Sequence, residues 1–183
     1  MKLIKILASL AMVTFLNYSF ADGHAVNLKS KKIGLLQLNW SPEALFMTSA
    51  NSGSNKLSGT ITINNTKGNI DACYEKFMIK STGPILNNVT CQVKFDNGTT
   101  MQMDYSMVLS PFETFWDKLS KGETMTAPNN GIMYWHATMK MQTVSETHGW
   151  VNKNVFLMKG KKLQGPIDGK TGNVTYDIYK FIY

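Results

Sequence analysis

The feature that most constrains the fold is a pair of alternating apolar and polar segments joined by a very short turn. Asp96-Asn97-Gly98 lies between residues 88–96 and residues 99–109, and asparagine and glycine accept the positive φ angles of a tight hairpin. A connection this short allows only antiparallel pairing. Six further extended segments are bounded by glycine, asparagine or proline. The predicted strands are residues 32–39, 57–64, 70–80, 88–96, 99–109, 131–142, 149–159 and 173–182.

One segment has a helical pattern. Ser110, Pro111 and Glu113 match a helix start, because serine caps free amides, proline suits the first turn and the glutamate completes a capping box. Apolar side chains then recur at helical spacing on one face. These are Phe112, Phe115, Trp116 and Leu119. We predict a helix over residues 111–121, ended by Gly122 and packed on the sheet.

Eight antiparallel strands predict an all-β fold, because a closed barrel or a sandwich protects the edges of the sheet. No repeat or linker divides the 183-residue chain. We therefore predict a single antiparallel β-barrel of about eight strands with one short α-helix, formed by residues 22–183. A barrel of this strand number can hold one small ligand.

The amino terminus has the pattern of a secretory signal peptide. Lys2 and Lys5 precede a mainly apolar run at residues 6–16, and Ser19 and Ala21 are small residues at the positions that a signal peptidase reads. The run is too short to cross a bilayer of about 30 Å. We predict a signal peptide over residues 1–21, a periplasmic or secreted location, and no membrane association once the signal is removed.

An exported chain with two cysteines favours a disulfide between them, here Cys73 and Cys91. Two buried free thiols are the alternative. No neighbouring residues supply further ligands at zinc-like spacing, so no metal site is predicted.

All 19 basic side chains are lysine, against 12 acidic ones. Proteins that grip phosphate usually use the planar arginine fork, and this chain has none. We therefore predict no nucleic-acid partner.

Alternation assigns the side chains of two strands to opposite faces of the sheet. The predicted inward face carries Met101, Met103, Tyr105 and Met107 from one strand, and Met133, Trp135, Ala137, Met139 and Met141 from the next. These side chains either fill a packed core or line a pocket for an apolar ligand. Copper(I) held by thioethers with His136 or His148 is disfavoured, because alternation puts His136 on the opposite face. No cofactor is predicted.

Three groups of segments resemble the domain-of-unknown-function family three-two-three-seven. They are residues 57–61 (Leu-Ser-Gly-Thr-Ile), residues 95–105 followed by 119–123, and residues 134–138 followed by 141–143 and 150–152. The resemblance implies an antiparallel barrel related in shape to allene oxide cyclase and similar barrels, which hold apolar ligands. It implies no particular reaction. This chain has His136 where family members commonly carry arginine and Gln142 where they commonly carry glutamate.

We predict that the barrel binds a small apolar or aromatic molecule. The candidate ligand-binding residues are Met101, Met103, Tyr105, Trp135, His136, Trp150 and Asn152. The alternative is an enzyme that cyclises or isomerises such a molecule with polar help from Tyr105, His136 or Asn152. No nucleophile motif or phosphate-binding loop is present, so no catalytic residue is assigned and the binding protein is favoured.

Overall fold

Ten β-strands make up most of residues 29–182, the part of the chain that the computed structural model describes. They are β1 Lys29–Trp40, β2 Phe46–Ser49, β3 Ser52–Ile63, β4 Thr66–Ile79, β5 Ile85–Phe95, β6 Thr100–Pro111, β7 Thr124–Thr126, β8 Ile132–Gln142, β9 Val155–Gln164 and β10 Gly172–Ile182. One α-helix, α1, spans Phe115–Ser120, and short 3₁₀ helices span Pro42–Ala44 and Gly149–Lys153. The predicted signal peptide at residues 1–21 lies outside the described residues.

Eight of these strands close into an antiparallel barrel. Their order is β1-β10-β9-β8-β6-β5-β4-β3, and β3 pairs back to β1 from Gly34 opposite Ile63 to Asn39 opposite Ser58. The short strands β2 and β7 pair with β3 and β9. The predicted fold class, an antiparallel barrel of about eight strands with one short helix, is confirmed. No helix among residues 29–182 is long and apolar enough to cross a bilayer.

The inward-facing side chains form one continuous core. Alternation correctly predicts the inward face of β6, where Met101, Met103, Tyr105 and Met107 are all buried. The β6–β8 register places Met103 opposite Met141 and Tyr105 opposite Met139. Adjacent inward side chains are therefore direct cross-strand neighbours.

The inward prediction for Met133 is wrong, because this side chain is 55% exposed. The pairing of β6 with β8 shifts between Ser110 and Pro111, so that Ser110 lies opposite Tyr134 while Pro111 lies opposite Ile132. Such an irregularity inserts an unpaired residue and changes which side chains point inward. Ile132 and Trp135 are buried on either side of it.

The predicted helix start is also wrong. Ser110 and Pro111 belong to β6, and α1 begins four residues later, after Thr114, whose side chain makes no capping hydrogen bond. Pairing with β8 and the hydrogen bond from the Phe112 amide to the Gly131 carbonyl hold this segment in the sheet. Tertiary pairing therefore overrides the local capping signal.

The apolar face of the helix is narrower than predicted. Phe115 is buried and Leu119 packs against the core, whereas Phe112 and Trp116 are 39% and 47% exposed. The start of the α1 helix at Phe115 places Phe112 outside it.

The predicted strand at residues 149–159 begins too early. Gly149–Lys153 forms a 3₁₀ helix, and β9 starts at Val155. The Asn154 side-chain amide donates to the Trp150 carbonyl over 2.6 Å. Asparagine side chains that bond nearby backbone favour such local turns over strands.

The predicted disulfide between Cys73 and Cys91 is confirmed. The two residues lie directly opposite each other on β4 and β5, with their Cα atoms 4.0 Å apart and both side chains fully buried. The bond links two adjacent barrel strands from the inside.

Replacing both cysteines with alanine is expected to lower the free energy of unfolding by roughly 2 to 5 kcal/mol, because the cross-link restricts the unfolded chain. Urea unfolding of the oxidised protein and the double variant measures this loss. Non-reducing mass spectrometry of the purified protein checks the bond itself, and two alkylatable thiols would contradict it.

Candidate functional site

A largely apolar cavity of about 200 Å³ occupies one end of the barrel. Its apolar wall is formed by Leu38, Trp40, Leu45, Leu57, Phe77, Ile85, Met107, Leu109, Trp135, Leu163 and Val174, together with Phe115, Trp116 and Leu119 of the α1 helix. Apart from Leu45, which precedes β2, the residues outside α1 belong to strands and lie at the end of the barrel over which α1 packs. The long connection between β6 and β8 therefore supplies one side of the cavity.

The other half of the barrel is tightly packed. Met103, Met139 and Met158 have no accessible surface, and the Phe95 ring stacks on His148 at a centroid distance of 5.4 Å. The methionines thus mainly fill the core, which is the first of the two alternatives that the sequence leaves open. Met107 is the one methionine among the described residues that also lines the cavity.

Five polar side chains converge on the otherwise apolar wall: Asn55 of β3, Glu75 of β4, Asn87 of β5, Tyr105 of β6 and Tyr176 of β10. Glu75 faces inward because it alternates with Cys73 and Phe77. The register places Asn55 directly opposite Glu75.

Glu75 is held by its neighbour on β5. The Asn87 Nδ2 atom donates a hydrogen bond to Oε1 of Glu75. Burial among apolar side chains raises the pKa of Glu75 to about 7, and the hydrogen bond from Asn87 opposes part of that rise. The carboxyl group therefore exchanges its proton near neutral pH.

The two tyrosines form an aromatic cluster with Trp135. The Trp135 Nε1 atom donates to the Tyr176 hydroxyl over 3.2 Å, and the two rings meet edge to face with centroids 4.8 Å apart. The Tyr105 and Tyr176 rings are 5.9 Å apart. Burial raises the pKa of both phenols above the ordinary value, and the nearby Glu75 charge raises them further. Both hydroxyl groups therefore keep their protons.

Gly160 of β9 makes room for the indole of Trp135. A Cβ atom at this position would lie 1.9 Å from the Trp135 ring. The indole packs directly on the β9 backbone, which fixes its edge toward Tyr176.

Several buried polar atoms of the cavity wall lack hydrogen-bond partners among the described residues. They are Oδ1 of Asn55, Oδ1 of Asn87 and Nε1 of Trp40. Buried donors and acceptors are normally satisfied, and Asn55 is only 7% exposed. These atoms are therefore available to a molecule that enters the cavity.

The structure brings together only two of the residues predicted to bind a ligand, Tyr105 and Trp135. Met101 and Met103 lie in the packed half of the barrel. His136 lies on the outer face, 4.6 Å from the Tyr134 ring and opposite Lys159. Partial burial and the Lys159 charge lower the pKa of His136.

Trp150 and Asn152 lie in the 3₁₀ helix before β9, away from the cavity wall. The Trp150 ring packs on Phe156 and has the Lys180 amine 5.2 Å from its centroid. Asn152 accepts a hydrogen bond from the Thr143 amide and donates one to the Thr143 carbonyl. These contacts organise the connection between β8 and β9.

Sequence reasoning missed Glu75, Asn55, Asn87 and Tyr176. One signal was available for Glu75: it alternates with Cys73 and Phe77, so a carboxyl group shares the inward face of a strand with apolar side chains. No cluster of three or more histidine, cysteine or acidic side chains suited to a metal ion occurs within residues 29–182.

Comparison with known protein families finds one match that covers most of the chain. The family described as "Protein of unknown function (DUF3237)" matches residues 48–181. No curated protein matches the sequence.

Solved structures share the fold at low sequence identity. A conserved protein of unknown function from Rhodopseudomonas palustris has a TM-score of 0.69 and 12% identity, with 85% of this chain and 97% of that chain covered. A β-barrel-like protein from Acinetobacter baumannii has a TM-score of 0.62 and 18% identity, over 85% and 96%. A structure described as an enzyme from Penicillium herquei has a TM-score of 0.53 and 12% identity, over 85% and 95%. These similarities establish the shared barrel.

Replacing Gly160 with alanine is expected to destabilise the protein by about 1 to 3 kcal/mol, because the new methyl group overlaps the Trp135 ring. Gly149→Ala is the matched control, since a Cβ atom there meets no atom within 4 Å. Thermal unfolding and tryptophan fluorescence measure both variants. Equal stability of the two variants would contradict the packing of Trp135 on β9.

Glu75→Gln is expected to stabilise the protein in alkaline solution. The folded-state pKa of about 7 lies above the ordinary value of 4.5. At pH values between these two, the folded protein still holds a proton that the unfolded chain has released. The protonated Glu75 therefore contributes fully to the stability of the wild type below the ordinary pKa of 4.5, and this contribution is lost as the pH rises through the folded-state pKa of about 7. The variant should gain up to about 3 kcal/mol over the wild type near pH 8 and almost nothing near pH 4.

Urea unfolding at several pH values measures this difference, with the exposed Glu146→Gln as control. A stability difference between wild type and Glu75→Gln that does not change with pH would show that Glu75 titrates normally.

Proposed function

We propose that this chain, which belongs to the DUF3237 family of proteins of unknown function, binds a small, largely apolar or aromatic molecule in the cavity at one end of its barrel. The observation that carries the proposal is an apolar cavity whose few polar atoms converge and are incompletely hydrogen-bonded. Small-molecule sites commonly combine an apolar wall with a few polar groups that orient the ligand.

The size of the cavity supports a ligand of one or two rings. A dry apolar cavity of roughly 150 Å³ in another protein accepts benzene, and this cavity measures about 200 Å³. Aromatic side chains line several sides, including Trp40, Phe77, Phe115 and Trp135. They favour a flat ligand, because edge-to-face and offset contacts between rings add to burial of apolar surface.

The polar atoms support a hydroxyl group on that ligand. Oδ1 of Asn55 and Oδ1 of Asn87 can each accept a hydrogen bond, and the protonated Tyr176 hydroxyl can donate one. A hydroxyl group is both donor and acceptor. A carboxylate ligand fits less well, because it would bring a second negative charge next to Glu75.

The cavity can be reached from outside. Leu45 and Trp116 belong to its wall and are 38% and 47% exposed. An apolar molecule would therefore meet apolar surface at the entrance before it reaches the polar side chains of β3, β4 and β5.

Function in the periplasm or outside the cell is part of the proposal. The Cys73–Cys91 disulfide supports an oxidising compartment. The lysine-led apolar pattern of residues 1–21 supports export.

The ligand class can be tested with β-naphthol, naphthalene and β-naphthoate. β-Naphthol is expected to quench tryptophan fluorescence saturably and to raise the melting temperature, with naphthalene weaker and β-naphthoate weakest. Asn55→Leu should weaken β-naphthol binding about tenfold, because it removes one hydrogen-bond acceptor, and should leave naphthalene binding unchanged.

The control is Asn69→Leu, which changes an exposed asparagine on the outer face of β4. If none of the three compounds gives a saturable response, the binding function is contradicted. An equal loss of β-naphthol and naphthalene binding in Asn55→Leu would contradict the proposed hydroxyl site.

A further inference from the structure

We propose that Glu75 is a catalytic general base that transfers a proton at the carbon next to the carbonyl group of a small, largely apolar ketone. The inference deepens the proposed binding function and rests on it, since the ketone would occupy the same cavity.

Glu75 is placed to reach a molecule in the cavity. It is the one carboxyl side chain among the described residues that lines the cavity. Asn87 bonds Oε1, while Oε2 accepts no hydrogen bond from the described residues. One oxygen is therefore anchored and the other can take a proton from a bound molecule, which is the geometry that a general base requires.

Two phenols in the same cavity can stabilise the charge that this transfer creates. Tyr105 of β6 and Tyr176 of β10 line the same cavity as Glu75. Trp135 donates to the Tyr176 hydroxyl and restricts its position. A hydroxyl donor already in place for a developing oxyanion lowers the barrier without reorganisation of solvent.

The proposed step balances within one substrate and the protein. Oε2 of Glu75 takes the proton from the carbon, and the electrons of that C–H bond form a carbon–carbon double bond. The carbonyl π electrons move to oxygen, giving an enolate that accepts a hydrogen bond from the Tyr176 hydroxyl. Protonated Glu75 then returns a proton to the same carbon, or to a conjugated carbon, in which case the product is an isomer.

The surroundings of Glu75 match this task. Burial brings the pKa of the carboxyl group to about 7, which makes it a stronger base than an exposed glutamate. The groups facing it are uncharged Asn55 of β3 and Asn87 of β5, and the protonated phenols Tyr105 and Tyr176. The rate should therefore rise with pH through about 7 and then level off, because only the ionised carboxylate accepts a proton.

The experiment measures hydrogen–deuterium exchange of β-tetralone, a small aromatic ketone, in deuterated water by NMR. Wild-type protein should accelerate exchange next to the carbonyl group, and Glu75→Gln should lose at least about 100-fold of that rate. Glu75→Asp should retain part of it, because it keeps a carboxyl group. Glu146→Gln, at an exposed position, should match the wild type. Binding of β-tetralone is followed in the same samples by tryptophan fluorescence.

The outcomes separate catalysis from binding. Binding that persists in Glu75→Gln while exchange is lost would support the inference. Binding to the wild type with exchange no faster than in Glu75→Gln would overturn the general base and leave the binding function intact. If the wild type binds none of β-tetralone, β-naphthol and naphthalene, both the general base and the binding function are overturned.

Discussion

Closure of the barrel between β1 and β3 is the constraint on which the rest of the structure depends. The two strands approach so closely that a Cβ atom on Gly59 would lie 2.0 Å from the Gln37 carbonyl oxygen. Glycine at this position therefore permits the pairing that joins the first barrel strand to the third. Once the sheet is closed, inward side chains from eight strands share one interior, and residues far apart in sequence become neighbours. Asn55, Glu75, Tyr105 and Tyr176 converge for this reason.

The interior has two halves with different roles. One half is filled by methionines and by Phe95 stacked on His148, and it is held by the Cys73–Cys91 bond between β4 and β5. The other half retains a cavity under α1, with a carboxyl group whose pKa is raised by its apolar surroundings. Keeping a buried carboxyl group costs stability when it is ionised. The stability of the packed half can offset the stability that is lost in the half containing the cavity and its carboxyl group.

Much of the barrel could be predicted from sequence, because strand alternation and the Asp96-Asn97-Gly98 turn are local signals. The inward face of β6 follows from them, whereas the cysteine pair was predicted from the even cysteine count of a chain expected to be exported. The predictions are wrong where long-range strand pairing determines the local structure. Pro111, predicted to begin the helix, belongs to β6 because it pairs with β8. The site was harder still, since Glu75 and Tyr176 are about a hundred residues apart and nothing local links them. Attention to histidine and methionine led instead to His136, on the outer face, and to Met103, in the packed half.

The raised pKa of Glu75 and its place in the ligand cavity are tested together by a carboxyl-carbon NMR titration of Glu75, assigned by comparison with Glu75→Gln, with and without β-naphthol. We expect a midpoint near 7 for the protein alone and a shifted midpoint when β-naphthol occupies the cavity. A midpoint close to the ordinary glutamate value of 4.5, unchanged by β-naphthol, would contradict both expectations.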